Sequence, residues 1–310
     1  MSDLTVTVLG CGTMGVAVLS GVISSLQSGT TAPMDNPPEH LPSRFIACVK
    51  RPESEERVKT ALNNPPNLEV VRGDNVSAAK RADIVILTCK PWMVETVLGE
   101  QGMTEALGGK MLVSVLAGVT GEQINAVLYG KGAPPPPAAA RCTVIRAMFN
   151  TAATIRQSLT VIETSNPPLP AADASLVTWI FRQIGEVVFL PSSNMDASTA
   201  LCGSGPAFFL LMVEAAADGG VAMGLPRAEA QKMAAQSMMG AAGMVLAGQH
   251  PAVLKDKVCT PGGCTIGGLT VLEEGGVRGS VSRAVREATV VASQLGQGAK
   301  LVNGTRPAPQ

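Results

Sequence analysis

Hydrophobic and polar residues follow two alternating patterns in the first half of the chain. Short apolar runs rich in β-branched residues predict buried strands, and the mixed stretches between them predict helices. The predicted strands are residues 5–9, 45–49, 68–71, 84–88, 111–116, 143–148, 159–163 and 186–190. The predicted helices are residues 16–26, 53–62, 93–98, 121–128 and 173–184. This alternation favours an α/β fold, with a doubly wound parallel sheet whose later strands can be antiparallel at one edge.

The pattern changes at about residue 194, where strand signals end and Ala, Gly and Met dominate. The predicted helices there are residues 205–222, 226–247, 251–258, 265–274 and 278–295. Several are apolar on nearly every face, more than a domain of about 100 residues can bury alone. We therefore expect an all-α dimerisation domain and a homo-oligomer assembled through it. The predicted division is 1–193, 194–296 and a disordered tail over 297–310.

Two stretches interrupt the strand–helix alternation. Residues 27–43 are rich in Pro, Ser, Thr and Asn, and residues 130–140 read GKGAPPPPAAA. Both are typical of surface loops, and the second has polyproline II character. It is interpreted as a lengthened loop, with a docking site for a proline-recognition domain as the alternative.

Composition narrows the class of protein. The 310 residues carry a formal net charge of +0, with 15% charged, so no basic surface for nucleic acid is expected. Seven scattered cysteines and two histidines indicate a reduced compartment and no metal site. The N-terminus lacks the pattern of a signal or transit peptide. The apolar run at 206–217 is interrupted by Glu214 and followed by Asp218, which argues against a membrane span. These features predict a soluble, cytoplasmic protein.

Glycines follow the first strand in a G-x-G-x-x-G pattern formed by Gly10, Gly12 and Gly15. Such a turn between strand and helix is typical of a Rossmann-like dinucleotide site. Thr13 and Met14 would then be cofactor-binding residues at the start of the helix, next to the pyrophosphate. The alternative is a tight turn without a ligand.

The end of the second predicted strand carries two cations, Lys50 and Arg51. An NAD site usually has an acidic residue there for the ribose hydroxyls, whereas cations suit a 2′-phosphate. NADPH is therefore favoured, and NADH is possible but less favoured. The alternative is that both are solvated surface charges.

A second turn, Pro261-Gly262-Gly263, stands directly before a predicted helix that starts with Cys264 and Thr265. The first N–H groups of a helix attract anions, so a small carboxylate can bind there beside the Thr265 hydroxyl. The alternative is a glycine-rich turn between two helices.

Residues 258–273, VCTPGGCTIGGLTVLE, closely resemble the signature of the pyrroline-5-carboxylate reductases. TALCGSGPAF at 199–208 and DGGVAMGLPR at 218–227 also match that family. The resemblance runs from about residue 4 to residue 296. It implies NADPH-dependent reduction of Δ1-pyrroline-5-carboxylate to L-proline, the last step of proline biosynthesis, by hydride transfer to the ring imine carbon.

The resemblance also implies roles for individual residues. Gly262, Gly263, Cys264 and Thr265 would bind the substrate, with the Thr265 hydroxyl on the ring nitrogen as the catalytic group. The segments TCKPWMV at 88–94 and LAGVT at 116–120 match those that line the cofactor cleft. The cofactor residues placed there are Cys89, Lys90, Pro91, Ala117, Gly118 and, facing the nicotinamide region, Asn150. Phe149 and Ala152 stand where the family has prolines.

Three alternative functions remain open. A β-hydroxyacid dehydrogenase has a catalytic lysine on its central helix, but residues 205–223 contain no lysine. A related imine reductase would differ only in the ring size it accepts. A non-catalytic NADPH sensor would not need a carboxylate site. Turnover of pyrroline-5-carboxylate with NADPH would separate these alternatives.

Overall fold

The computed structural model describes residues 4–29, 34–132, 136–137, 140–297, 302 and 304–305. The chain divides into two compact units, Met1–Gly203 with Ala288–Gln310, and Ser204–Glu287. The sequence division after residue 193 stays a prediction. Most of the tail predicted to be disordered lies outside the described residues. Within it, Gly304 exchanges two hydrogen bonds with the Gln294 side chain, at 2.9 and 3.1 Å.

The first unit contains one eight-stranded sheet in the order β3-β2-β1-β4-β5-β6-β7-β8. Its strands are β1 (Leu4–Leu9), β2 (Pro42–Val49), β3 (Leu68–Arg72), β4 (Ile84–Leu87), β5 (Met111–Ser114), β6 (Thr143–Met148), β7 (Ser158–Glu163) and β8 (Gly185–Leu190). Strands β1 to β6 pair in parallel, β7 runs antiparallel to β6, and β8 is parallel to β7. The predicted doubly wound fold is confirmed, and its antiparallel pairing falls among the later strands, between β6 and β7.

Helices cover both faces of this sheet. They are α1 (Thr13–Ser28), α2 (Pro52–Ala61), α3 (Asn75–Lys80), α4 (Val94–Leu98), α5 (Met103–Leu107), α6 (Gly121–Tyr129), α7 (Ala171–Arg182) and α8 (Met195–Ser198). Helices α1, α2 and α7 share one hydrophobic core, and α3, α5 and α6 contribute to the other. Because the six strands β1 to β6 are parallel, the loops that follow them all leave from one edge of the sheet.

The structure corrects some predicted boundaries. Helix α1 extends to Ser28 and β2 starts at Pro42, so the first loop is shorter than 27–43. Proline is tolerated there because it is the first residue of the strand and the register to β1 shifts beside it.

Some short helices were not predicted. Helices α3 and α5 span too few residues to show a helical period, although Asp74 caps α3 by accepting from the Ser77 N–H. Helix α8 and the π-helix Thr199–Gly203 lack a clear apolar period as well. There the hydroxyls of Ser198 and Thr199 bond back to carbonyls four residues earlier.

The second unit is helical, as predicted, with α9 (Gly205–Ala222), α10 (Arg227–Leu246), α11 (Pro251–Val258) and α12 (Cys264–Glu274). The last helix, α13 (Val277–Gly296), begins in this unit and ends in the first. Helices α9 and α10 pack together, and an ion pair of 2.5 Å joins Arg227 to Asp218. The only buried residues of these two helices are Gly205, Ala217 and Ala230.

Large apolar side chains of the second unit remain exposed in the single chain. They include Phe209, Leu210, Leu211, Met223, Met233, Leu246 and Val271. By length and composition alone, the run Ser192–Ala222 is also apolar enough to cross a membrane. The charges of Glu214 and Asp218 on that run oppose this, since charged groups are costly in lipid.

The packing of α1 on the end of α7 can be tested at Gly21. Alanine normally stabilises a helix relative to glycine, but a Cβ on Gly21 would lie 2.5 Å from Ile184 Cγ2 and 2.8 Å from the Gln183 carbonyl oxygen. We expect Gly21→Ala to destabilise the protein by about 1–3 kcal/mol through overpacking. Ser24→Ala on the same helix is the control and should leave the melting temperature nearly unchanged. A higher melting temperature for Gly21→Ala would contradict this close approach.

Candidate functional site

The turn between β1 and α1 brings two glycines close to β4 and β1. Gly10 has φ of 75°, and a Cβ on it would lie 2.8 Å from Cα and Cβ of Cys89. A Cβ on Gly15 would lie 2.7 Å from Val8 Cγ1 and 2.9 Å from Thr88 Oγ1. Glycine is therefore sterically required at both positions. The Thr88 hydroxyl donates to the Gly10 carbonyl at 2.9 Å and ties the turn to β4.

The start of α1 is open to an anion. Gly12 is the N-cap and has no side-chain capping bond, and the first turn contains no acidic residue. A Cβ on Gly12 would meet nothing closer than the Gly10 carbonyl oxygen at 3.8 Å. Thr13 is exposed and Met14 is half-buried beside this opening. The first N–H groups of the helix can therefore receive a pyrophosphate, as the glycine pattern predicted.

Three thiols lie around this turn and are uncharged. Burial raises the pKa of Cys11 and of Cys48 to about 12, and that of Cys89 to about 11. A thiolate here would repel a phosphate group. Because all three remain protonated at neutral pH, the positive end of the helix dipole is not offset by them.

The two predicted cations follow β2 at the same edge of the sheet. Lys50 and Arg51 are both exposed, and neither has an ion-pair partner among the residues that the structure describes. Arg51 is also the N-cap of α2, where only its backbone carbonyl bonds to the helix. Both side chains are thus available for a 2′-phosphate.

The loops after β4 and β5 complete this edge. Lys90 is exposed, and Pro91 begins a 3₁₀ turn closed by a 2.9 Å bond from the Met93 N–H to the Lys90 carbonyl. Ala117 is half-buried, and Gly118 is buried with φ of 73°. The structure therefore places the residues predicted after β1, β2, β4 and β5 on one edge of the sheet.

Asn150 follows β6 and is held by several bonds. Its Oδ1 accepts from the Ala152 N–H at 2.9 Å, and its Nδ2 donates to the Cys202 carbonyl at 2.9 Å. Phe149, which replaces a proline, is buried against Phe181 with the ring centroids 5.9 Å apart. Asn150 thus links this loop to the π-helix, and its contact with nicotinamide stays a prediction.

The predicted carboxylate site lies in the second unit. Gly262 has φ of 68°, and Gly263 is the N-cap of α12 without a side-chain capping bond. The Gly263 N–H donates to the Thr260 carbonyl at 2.9 Å, and a Cβ on Gly263 would collide with the Thr260 hydroxyl. This turn requires glycines and leaves the first N–H groups of α12 open.

The two side chains that begin α12 are accessible. Cys264 is exposed and Thr265 is half-buried. Within the described part of the chain, the Thr265 hydroxyl has no hydrogen-bond partner, whereas Thr270 on the same helix donates to the Ile266 carbonyl at 3.0 Å. Thr265 is therefore able to bond an external group.

Sequence reasoning missed Thr88, whose hydroxyl fastens the glycine turn. The available signal was a polar residue at the end of an apolar strand, directly before Cys89. His250 directly precedes α11, and its Nδ1 accepts a hydrogen bond from the Ala252 N–H at the start of that helix.

Two family models match the chain. Residues 192–295 match the model described as pyrroline-5-carboxylate reductase dimerisation, and residues 5–118 match NADP oxidoreductase coenzyme F420-dependent. The resemblance stated from the motifs is confirmed.

Relatives match the chain over nearly its full length. A pyrroline-5-carboxylate reductase of Lophium arboricola is 61% identical, covering 98% of this chain and 97% of the relative. One of Neurospora crassa is 56% identical, with the same shares. A Plasmodium falciparum pyrroline carboxylate reductase, solved with NADP bound, shares the fold with a TM-score of 0.75 and 23% identity, covering 96% of this chain and 99% of its own. The chain belongs to the pyrroline-5-carboxylate reductase family.

Proposed function

We propose that the chain reduces Δ1-pyrroline-5-carboxylate to L-proline with NADPH, as the last step of proline biosynthesis. The observation that carries the proposal is the open start of α12 beside the Thr265 hydroxyl, which has no hydrogen-bond partner among the described residues. A small carboxylate fits such a site, and α9 contains no lysine of the kind that a β-hydroxyacid dehydrogenase uses. Turnover of pyrroline-5-carboxylate with NADPH is the direct test. Binding of NADPH without turnover would instead favour the sensor alternative.

The cofactor proposal rests on the edge of the first unit. The amides after Gly12 would hold the pyrophosphate, and Lys50 with Arg51 would hold the 2′-phosphate, Arg51 in a bidentate manner. When bound, the cofactor supplies the hydride. The rest of the cofactor site is proposed to be lined by Cys89, Lys90, Pro91, Ala117, Gly118 and Asn150. Lys50 and Arg51 stand at the position where an NAD site usually has an acidic residue, and these two cations therefore favour NADPH over NADH.

The substrate proposal rests on α12. The backbone N–H groups of Gly263, Cys264 and Thr265 would bind the carboxylate, because the helix dipole favours an anion there. The Thr265 hydroxyl would bond the ring nitrogen. A protonated cyclic imine is already electrophilic, so the protein has mainly to orient the ring and hold it.

No histidine is required as a general acid. His250 caps α11, and His40 is exposed next to Glu39.

The assembly proposed is a homodimer through the helical unit, in the cytoplasm, with no nucleic acid or membrane partner. The exposed apolar helices support the dimer, because such surfaces are normally buried in an interface.

Replacing Arg51 tests the cofactor preference. Wild type should use NADPH more efficiently than NADH. Arg51→Ala should lower kcat/KM for NADPH by about 10- to 150-fold, since a charge-assisted phosphate bond is worth about 1.5–3 kcal/mol. Its efficiency with NADH should change little. The control is Arg81→Ala, because Arg81 is exposed but paired with Glu69 at 2.6 Å. Equal efficiency of the wild type with both cofactors would refute the preference.

The assembly is tested by sedimentation. Because α9, α10 and α12 leave large apolar side chains exposed in one chain, the smallest folded unit should be a dimer at nanomolar protein. Leu211→Glu, which places a charge on this surface, should lower the dimer fraction and the melting temperature together. A stable, active monomer at nanomolar protein would rule the proposal out.

Replacing Thr265 tests the substrate site. Thr265→Ala removes a hydrogen bond to a group that is at least partly charged, so kcat/KM should fall by about 10- to 150-fold. Affinity for NADPH should stay nearly constant, because the cofactor's phosphates bind in the other unit. Thr265→Ser keeps the hydroxyl and should retain most activity.

The matched control for Thr265 is Thr270→Ala, whose hydroxyl bonds only to its own helix. Steady-state kinetics and thermal melts should be measured on the same preparations. Lower stability with unchanged kinetics in Thr265→Ala would assign that residue a structural role and leave the backbone N–H groups as the substrate anchor.

A further inference from the structure

Trp92 is exposed at the edge of the sheet where the dinucleotide residues gather. Its exposed fraction is 78%, whereas the only other tryptophan of the sequence, Trp179, is buried at 2%. Aromatic residues make up 3% of the chain, so an exposed indole at this edge is unusual for its composition. Within the described residues, its ring makes no aromatic or cation contact. Tryptophan is enriched at contact surfaces, because its large indole ring combines an apolar face with a polar N–H group.

The loop that carries Trp92 has a defined position relative to the glycine turn. Cys89 lies against Gly10 so closely that no Cβ fits between them, and Thr88 bonds the Gly10 carbonyl at 2.9 Å. The 3₁₀ turn Pro91–Met93, closed by the bond from Met93 to Lys90, then presents Trp92 at its centre. Trp92 thus follows closely along the chain after Cys89, the residue that contacts the glycine turn.

The strand order indicates which half of a dinucleotide meets this loop. β2 and β4 flank β1, and the cations Lys50 and Arg51 follow β2. A 2′-phosphate held there places its own ribose beside β1, and the adenine is attached to that ribose. The nicotinamide half is proposed to lie farther along, where Gly118 and Asn150 follow β5 and β6. The adenosine half is therefore the one nearest to the loop after β4.

We propose that Trp92 is a cofactor-binding residue whose indole face packs against the adenine ring of NADP(H). The indole offers a flat apolar surface with little rotamer freedom, which suits stacking on a purine. This inference rests on the proposed dinucleotide site. Trp92 supplies the apolar contact for the base, and Lys50 with Arg51 supply the ionic contact for the phosphate on the same nucleoside.

The test uses adenosine 2′,5′-bisphosphate, which has the adenine and the 2′-phosphate but no nicotinamide. Calorimetry should show that Trp92→Ala weakens its binding about 5- to 20-fold, and weakens NADP⁺ to a similar degree. Trp92→Phe should bind within about three-fold of wild type, since it keeps an aromatic face. Ile155→Ala, which removes another exposed apolar side chain of the first unit, is the control and should leave the affinity for the bisphosphate unchanged.

A second measurement does not depend on activity or on the alanine variant. The bisphosphate should quench the tryptophan fluorescence of wild type and leave that of Trp92→Phe, which reports Trp179 alone, unchanged. Binding of the bisphosphate to Trp92→Ala within two-fold of wild type would overturn the proposal. Weakening of NADP⁺ alone would also overturn it and move Trp92 to the nicotinamide half. If wild type bound neither ligand, the proposed cofactor site itself would fail.

Discussion

The close approach of Gly10 to Cys89 is the contact on which the proposed dinucleotide site depends, at the edge of the sheet where β1, β2, β4 and β5 end. It brings the ends of β1 and β4 together with no side chain between them, and the Thr88 hydroxyl secures the same point. The chain can then enter α1 with its first N–H groups uncovered. Burial keeps the nearby thiols neutral, so the only formal charges brought to this edge by the predicted residues are the cations Lys50, Arg51 and Lys90. An anionic cofactor is the ligand that this charge distribution favours.

The helical unit is governed by a different constraint, the burial of apolar surface. Helices α9 and α10 pack on each other, yet side chains such as Leu211 and Met233 remain exposed in one chain. Folding of this unit is therefore expected to be coupled to assembly, and its stability should depend on protein concentration. The small residues of these helices let them approach each other closely. A helical unit of this size nevertheless has too little surface of its own to bury all of their apolar faces. The family model for dimerisation matches this part of the chain.

The regular elements were predictable from composition and local pattern, whereas some very short elements were missed. The strands β1 to β8 were found from short apolar runs rich in β-branched residues, and the helices α9 to α12 from long stretches rich in Ala, Gly and Met. Helices α3 and α5 were missed since they last barely more than one turn, and their ends depend on caps such as Asp74. The π-helix at 199–203 depends on tertiary contacts, among them the bond from Asn150 to Cys202. No local pattern encodes such a bond.

The candidate site also contains residues that could be predicted from the sequence and residues that could not. Glycines were predictable, because Gly10, Gly15 and Gly263 occupy positions where a Cβ would collide with neighbouring atoms. The partners that impose those collisions, such as Cys89 and Thr260, could be identified only from the fold. Thr88 was missed for the same reason, since its bond joins residues that are 78 positions apart. Glycines at a turn form a motif that is visible in the sequence. The polar groups that hydrogen-bond to such a turn come from distant positions and form no local motif.

The chemistry proposed for α12 is consistent with how little side-chain catalysis the reaction needs. An open helix start can contribute about 0.3–2 kcal/mol to holding an anion, and the proposed bond from the Thr265 hydroxyl would add a directional contact. In this proposal neither group has to transfer a proton, and the His250 Nδ1 accepts the Ala252 N–H at the start of α11. Rate enhancement in the proposed mechanism would therefore come mainly from orientation of the reactive imine. Such a site tolerates an exposed helix start, because the glycine turn already holds the backbone donors in place before the substrate arrives.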